Sequence, residues 1–299
     1  MQSTKLTNEN KEEQQYLDLI TDILFNGSLD EGRNGKVLSL FGKTMRFSLQ
    51  YNTIPILTSK RVAWKTCLKE LLWFVRGHTD NKILQDQNVK IWNDNASREF
   101  LDSRNLHNLN VNDLGPIYGH QWRHFNAMYK DCNTDYTGKG VDQLQYIIDN
   151  LKDEKTRYSR RLVMSAWNPC QLDEMALPPC HILVQFNVSH GNKLSCALYQ
   201  RSGDVGLGVP FNIASYAFLT HMIAKHCNLE PYEFIHNLGN AHIYKEHIEA
   251  LTEQRTRKTY SFPKINIKNT HANINDYIVD DFEIIDYQYN GPVQMKMIA

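Results

Sequence analysis

Several features common in proteins are scarce in this 299-residue chain, and each scarcity removes a class of explanation. No run of about eighteen apolar residues occurs, so no membrane-spanning helix is expected. The N-terminal "MQSTKLTNENKEEQQYLDLI" is polar and carries no apolar core of signal-peptide length, which predicts a cytoplasmic protein. Cysteine pairs are missing too: Cys67, Cys132, Cys170, Cys180, Cys196 and Cys227 form no CxxC, so neither a disulfide framework nor a structural metal is expected. Charge of one sign is not in excess. Lys plus Arg and Asp plus Glu both count 33, and no terminal block of like charge suggests a nucleic-acid or membrane arm. An anionic ligand must therefore be gripped by local basic residues. The glycosylation patterns "NGS", "NAS" and "NVS" are read as idle without a signal segment. No repeat, low-complexity tract or Pro/Gly/Ser linker divides the chain, so one domain is predicted.

What is present has a clear pattern. Helical periodicity marks "EEQQYLDLITDILFNG" and "WKTCLKELLWFVRG", the latter with Cys67, Leu68, Leu71, Leu72 and Phe74 on one apolar face. "NIASYAFLTHMIAKHC" is apolar almost all round and predicts a helix buried at the hub of the core. "KVLSLFG", "MRFSLQY", "RRLVMSAWN", "HILVQFNV", "KLSCALYQRS" and "EFIHNLG" read as strands, with a hairpin turn at "SHGN". The irregular alternation predicts an α+β fold with a large mixed sheet covered by helices.

Chemistry concentrates in a few stretches. In "LPPCH", Cys180 is a buried thiol, a metal ligand beside His181, or a nucleophile stiffened by two prolines. Strand alternation points His181 to the opposite face. In "YQRSGDVGLGVPFN", Arg201 can lower a thiol pKa, and with Ser202 it can hold phosphate. The glycine order GxxGxG is not a dinucleotide fingerprint. Asn212 stands where a helix N-cap would, yet its amide also suits the edge of a nucleobase. His242 and His247 are five apart, the wrong spacing for a helical zinc pair, whereas His242 and Tyr244 share a face if extended. Arg160 and Arg161 read by default as solvated. Glu70 lies among Leu71, Leu72, Trp73 and Phe74, and facing an apolar cleft it would have a raised pKa. The aromatic and polar mixture of "DLGPIYGHQWRHF" suggests a cleft wall.

Together "LPPCH", "YQRSGDVGLGVPFNIASYA", "DLGPIYGHQWRHF", "ELLWF" and "AHIY" resemble the folate-dependent thymidylate synthases, from about Tyr16 to the terminal "QMKMIA". The resemblance implies a domain over residues 16–299 behind a polar extension at 1–15, and a homodimer whose sheets pack face to face. It also implies conversion of dUMP and 5,10-methylenetetrahydrofolate to dTMP and dihydrofolate. By resemblance Cys180 is the nucleophile, Glu70 organises proton transfer, and Tyr118 is associated with loss of the C5 proton. Arg201 and Ser202 hold phosphate, joined by Arg33 and by Arg160 and Arg161 from the other subunit. Asn212 reads the uracil, His242 and Tyr244 hold the ribose, and Gln200 supports them. Asp204 also lies near the nucleotide and hydrogen-bonds the pterin, which Ile91, Trp92, Asn95, Leu207 and Phe211 surround. The tail ending at Ala299 closes over both ligands.

The chain departs from the family pattern at "DEGRNGKV", where Arg33 is shifted by one residue, at Asn93, His120 and Asn240, and in "YQYNGPV" before the tail. Two other readings are a hydroxymethylase of the same fold, against which Trp92 and Asn212 argue, and a non-catalytic dimer binding nucleotide or RNA, which the neutral charge does not favour.

Overall fold

A computed structural model describes residues 10–32 and 35–298. Eight strands form two sheets: β1 (Ser28–Gly32), β2 (Gly35–Ser48), β3 (Val163–Ser165), β4 (His181–Ser189), β5 (Lys193–Asp204), β6 (Glu230–Tyr244), β7 (Lys264–Ile267) and β8 (Phe282–Ile285). The helices are α1 (Lys11–Asn26), α2 (Trp64–Val75), α3 (Lys82–Gln85), α4 (Arg98–Ser103), α5 (Tyr118–His124), α6 (Gln143–Lys152), α7 (Gly208–His226) and α8 (Ile248–Gln254). The large sheet runs β1-β2-β6-β5-β4-β3 and the small one pairs β7 with β8. Among the described residues only β5 and β6 pair in parallel within the large sheet, the other neighbours being antiparallel. The chain is thus the single α+β domain with a mixed sheet that the pattern predicts.

Parallel neighbours need a crossover, and α7 supplies it. Its side chains from Ile213 to Ala224 are almost all fully buried, including Ile213, Phe218, Leu219, Met222 and Ile223, so the helix is the hub that its uniform apolarity predicts. Each such side chain contributes about 1.5–3 kcal/mol of burial free energy. α7 packs on β5 and β6, α1 on β2, and α2 on α7. Asn10 caps α1 through hydrogen bonds from the Glu12 and Glu13 amides, so the helix begins at Lys11.

Other elements differ in extent. "KVLSLFG" and "MRFSLQY" merge into one strand because Gly42 adopts φ 76° and lets β2 continue. Of "RRLVMSAWN" only Val163–Ser165 is strand. β6 runs on through "NAHIY", which makes His242 and Tyr244 strand residues. The β4–β5 hairpin closes with Ser189 opposite Lys193, its turn made by His190 (φ 49°) and Gly191 (φ 88°). Along β4, Val184, Phe186 and Val188 are buried under helices, while Leu183, Gln185 and Asn187 are exposed on the other face. There Leu183 stands opposite the exposed Tyr199, an uncovered apolar pair among the described residues.

Gly239 sits beside β5 where a side chain has no room, since a Cβ would lie 2.7 Å from the Arg201 carbonyl oxygen and 3.1 Å from the Tyr199 hydroxyl. Gly239→Ala should therefore destabilise the protein by about 1–3 kcal/mol in denaturant titration. It should also displace Arg201. Unchanged stability would mean that the strands part without cost.

Candidate functional site

A cavity of about 1000 Å³ opens at the C-terminal ends of β5 and β6, beside the start of α7. Carboxyl ends of strands are where open α/β-type sheets place ligands. The volume lies at the upper end for small-molecule sites, about 300–1000 Å³. Its lining brings together Glu70, Ile91, Trp92, Asn95, Tyr118, Cys180, Gln200, Arg201, Ser202, Asp204, Leu207, Phe211, Asn212, His242 and Tyr244. Arg160 and Arg161 are exposed just before β3, at the sheet's edge, and do not line the cavity of their own chain. Arg33 and Ala299 lie outside the described residues.

Cys180 is held by its backbone. Its N–H donates to the Tyr118 hydroxyl (2.7 Å) and its carbonyl accepts from the Arg201 N–H (2.9 Å). The Arg201 guanidinium donates through Nε to the Pro179 carbonyl (2.8 Å) and through Nη2 to that of Pro178 (2.9 Å), with Trp167 beneath it at 5.4 Å. Arg201 thus clamps the diproline mount while three of its five N–H groups stay available for an anion. The expectation that His181 faces away is corrected here. Between His181 and Leu183 the β4–β5 register slips by one residue, a bulge that breaks alternation, so Cys180 and His181 both line the cavity.

His181 begins a polar chain of fixed direction. Gln200 Nε2 donates to the Ser202 carbonyl (2.8 Å), and a carbonyl can only accept. That sets the amide: Nε2 also donates to Asn212 Oδ1 (2.9 Å), and Gln200 Oε1 accepts from His236 Nε2 (2.8 Å). Asn212 Nδ2 then faces His181 Nε2 (2.8 Å), which must accept. Burial lowers both pKa values, His181 to about 4 and His236 to about 3, so both rings are neutral and the polarity persists across ordinary pH. Asn212 keeps one unused N–H and one unused lone pair, a donor and an acceptor side by side. It is not the helix cap: α7 starts four residues earlier, after Leu207, and the Asp204 carboxylate accepts from the Gly206 (2.9 Å) and Leu207 (3.3 Å) amides instead.

Glu70 stands opposite. Trp92 Nε1 donates to its Oε1 (2.7 Å), with Phe74 packed on Tyr118 (4.8 Å between rings) beside it. Burial raises the Glu70 pKa from 4.5 to about 7, the Trp92 bond offsetting part of the rise. Tyr118 is pushed well above 10 by burial first and by the neighbouring Cys180 and Glu70, so it remains a phenol. At the wall formed by the end of β6, His242 Nδ1 donates to Asn240 Oδ1 (3.0 Å), which leaves Nε2 as an acceptor.

The cavity also contains residues that the sequence reading passed over: Lys60, Arg61 and Arg104. Lys60 is buried, donates to the Gly206 carbonyl, and is lowered to about 8 by burial against the pull of Asp204. Its only signal was a basic pair inside "LTSKRVAW", between two apolar runs. Among the described residues no cluster of His, Cys, Asp and Glu could hold a metal ion, and no helix is long and apolar enough to cross a membrane.

The thymidylate synthase family model matches residues 14–299. The chain is 54% identical to thymidylate synthase of Saccharomyces cerevisiae, over 97% of this chain and 98% of that one. It is 52% identical to a probable thymidylate synthase of Schizosaccharomyces pombe, covering 96% of this chain and 48% of that one. It is 51% identical to a bifunctional dihydrofolate reductase-thymidylate synthase of Paramecium tetraurelia, over 97% and 62% respectively. The chain therefore spans nearly all of the first relative and about half to three fifths of the other two.

The Glu70 carboxyl should titrate near pH 7 in a carboxyl-carbon NMR experiment, with Glu70→Gln identifying its signal. Trp92→Phe, which removes the donor, should move it further upward. The folded protein holds this proton more tightly than the unfolded chain, so the group's contribution to stability is complete below 4.5 and declines as pH rises to about 7. A midpoint at the ordinary carboxylate value would show that water reaches the group freely.

Proposed function

Given that the chain belongs to the thymidylate synthase family, we propose how its own residues carry out the methylation of dUMP. The overall conversion takes dUMP and 5,10-methylenetetrahydrofolate to dTMP and dihydrofolate. Asn212 is the observation that carries the reading: its free acceptor suits the uracil N3–H and its free donor the O4 carbonyl, whereas cytosine offers the reverse at both atoms. Cys180 as thiolate adds to uracil C6, and C5 then attacks the folate's one-carbon unit. Tyr118, kept as a phenol beside the Cys180 amide, directs the water that removes the C5 proton. Glu70, poised near neutrality, relays protons at O4. Loss of the folate amine leaves an exocyclic methylene. Hydride from the folate reduces it to methyl as the thiolate departs, and dihydrofolate is the balancing product.

Arg201 and Ser202 grip the phosphate. His242 and Tyr244 hold the ribose, where the unprotonated Nε2 of His242 accepts from the 3′ hydroxyl. Ile91, Trp92, Asn95, Leu207 and Phe211 wall the folate side and Asp204 accepts from the pterin. The tail through Ile298 and Ala299 covers both ligands, and Arg33 adds to the phosphate grip. Arg160 and Arg161 reach the phosphate of a partner subunit, across a homodimer formed by the open sheet face of Leu183 and Tyr199. Their exposure at the sheet edge, outside their own chain's cavity, supports that assignment.

Incubation with 5-fluoro-dUMP and methylenetetrahydrofolate should give a covalent adduct on denaturing gels, absent from Cys180→Ser. Turnover of that variant should fall by at least about a thousandfold. Asn212→Asp should lose dUMP turnover by about 10²-fold or more and gain on dCMP. Mixing Cys180→Ser with an Arg160→Ala/Arg161→Ala double variant should restore part of the activity that neither has alone. No restoration would count against a shared phosphate site.

A further inference from the structure

The C-terminal segment is secured at two places. Upstream lies a clamp of backbone carbonyls: the Asn290 N–H and side-chain amide both donate to Thr58 (2.8 and 3.0 Å), the amide also to Lys258 (2.7 Å), and Arg257 to Gly291 (2.7 Å). Thr58 is itself fixed, since the buried Glu13 carboxylate accepts from its N–H (2.9 Å) and its hydroxyl (2.5 Å). From Pro292 the chain runs over the cavity, which Val293, Met297 and Ile298 help to line. The second attachment is downstream, where the Lys296 carbonyl lies 2.7 Å from His247 Nε2.

His247 is fully buried, in the turn that follows β6. A carbonyl only accepts, so Nε2 must carry a hydrogen. Among the described residues Nδ1 has no hydrogen-bond partner, and it sits 3.7 Å from Asp204 Oδ1. A neutral ring would aim this lone pair at a carboxylate. A second proton turns the same contact into attraction. The other titratable groups around the ring are Lys60, whose ammonium is committed to the Gly206 carbonyl, and Tyr244, whose ring lies 5.7 Å away; Tyr16 faces the Asp204 charge as well. Burial lowers the His247 pKa, but Asp204 and the Lys296 carbonyl together outweigh burial and Lys60, and the net direction is upward from 6.5. Packing points the same way: a Cβ on Gly206 would stand 2.8 Å from His247 Nδ1 and 3.0 Å from Met295 Sδ, so the backbone after Asp204 is pressed against both ring and tail.

We propose that His247 is a positioning residue that ties the C-terminal tail to Asp204, making the folate-side carboxylate and the cover over the cavity one mechanical unit. The proposal rests on the reading of Asp204 and the tail given above. The proton on Nδ1 strengthens the tie, so its contribution to closure is complete below 6.5 and declines as pH rises through the raised value, the Nε2 bond to Lys296 remaining.

Hydrogen exchange of the peptide spanning 292–298, corrected for intrinsic rates, tests this in the ligand-free full-length protein. Protection should fall by about tenfold between pH 6 and pH 9 in the unsubstituted protein, and be lost at every pH in His247→Leu. His247→Gln keeps an N–H for the Lys296 carbonyl but has no titratable charge, so its protection should be intermediate and flat with pH. In turnover both variants should raise KM for methylenetetrahydrofolate by about tenfold while changing dUMP affinity by less than about twofold. Should His247→Leu fail to fold, the His247→Gln pH profile decides alone. A pH-dependent profile in that variant, or folate KM unchanged in both, overturns the tie. Failure of the unsubstituted protein to trap 5-fluoro-dUMP would instead sink the reading of the cavity, and the exchange result would stand on its own.

Discussion

The parallel pairing of β5 with β6 is the constraint on which the rest is built. Two parallel neighbours cannot be joined by a turn, so the chain must leave the end of β5, cross the sheet as a helix and return. Three things follow from that one connection. The carboxyl ends of both strands finish at the same edge, the first turn of α7 starts there too, and the helix body is buried on all sides. Arg201, Ser202 and Asp204 come from one strand end, His242 and Tyr244 from the other, and Phe211 and Asn212 from the helix. They converge because the topology leaves them nowhere else to be. Cys180 joins them from just before β4, across the antiparallel hairpin.

Convergence supplies neighbours; direction comes from a single carbonyl. Ser202 can only accept, and from it the orientation of Gln200, then of Asn212, then the tautomers of His181 and His236 follow in turn. Gln200, Asn212 and His236 are buried, and an unmatched polar group there costs about 1–3 kcal/mol, so flipping one amide would leave several contacts wrong at once. The donor and acceptor that Asn212 turns to the cavity are thus fixed by the residues behind it. Cys180 is treated similarly, as its position is fixed by main-chain bonds and by Arg201 gripping the proline carbonyls.

How much of this was legible in the sequence varied with the range of the interactions involved. The buried helix, the hairpin, the α+β class and the raised pKa of Glu70 depend on local composition, and composition reports them well. Fifteen of the proposed site residues do share one cavity, because long motifs such as "YQRSGDVGLGVPFN" span a strand end and a helix start together. The facing of His181 was misread because a bulge is a property of two paired strands, invisible in either alone. Asn212 looked like a cap because sequence cannot show that Asp204 already serves the free amides. Lys60 and Arg61 escaped notice since their role depends on a loop folded against α1 and the C-terminal segment. Arg160 and Arg161 stand exposed at the sheet edge, outside the cavity of their own chain, where their default reading as solvated agrees with the fold.

The Asn290 clamp bears on how strong the far end of the tail has to be. From Gly291 to Ile298 is seven residues (298 − 291), so the free end stays within about 25 Å of its anchor even when fully extended. Tethered that closely, the tail meets its docking site at an effective concentration on the order of millimolar. A bond too weak to hold a separate peptide is then enough to keep this segment against the cavity it lines. The anchor, rather than the contact at His247, bears most of the cost of ordering it.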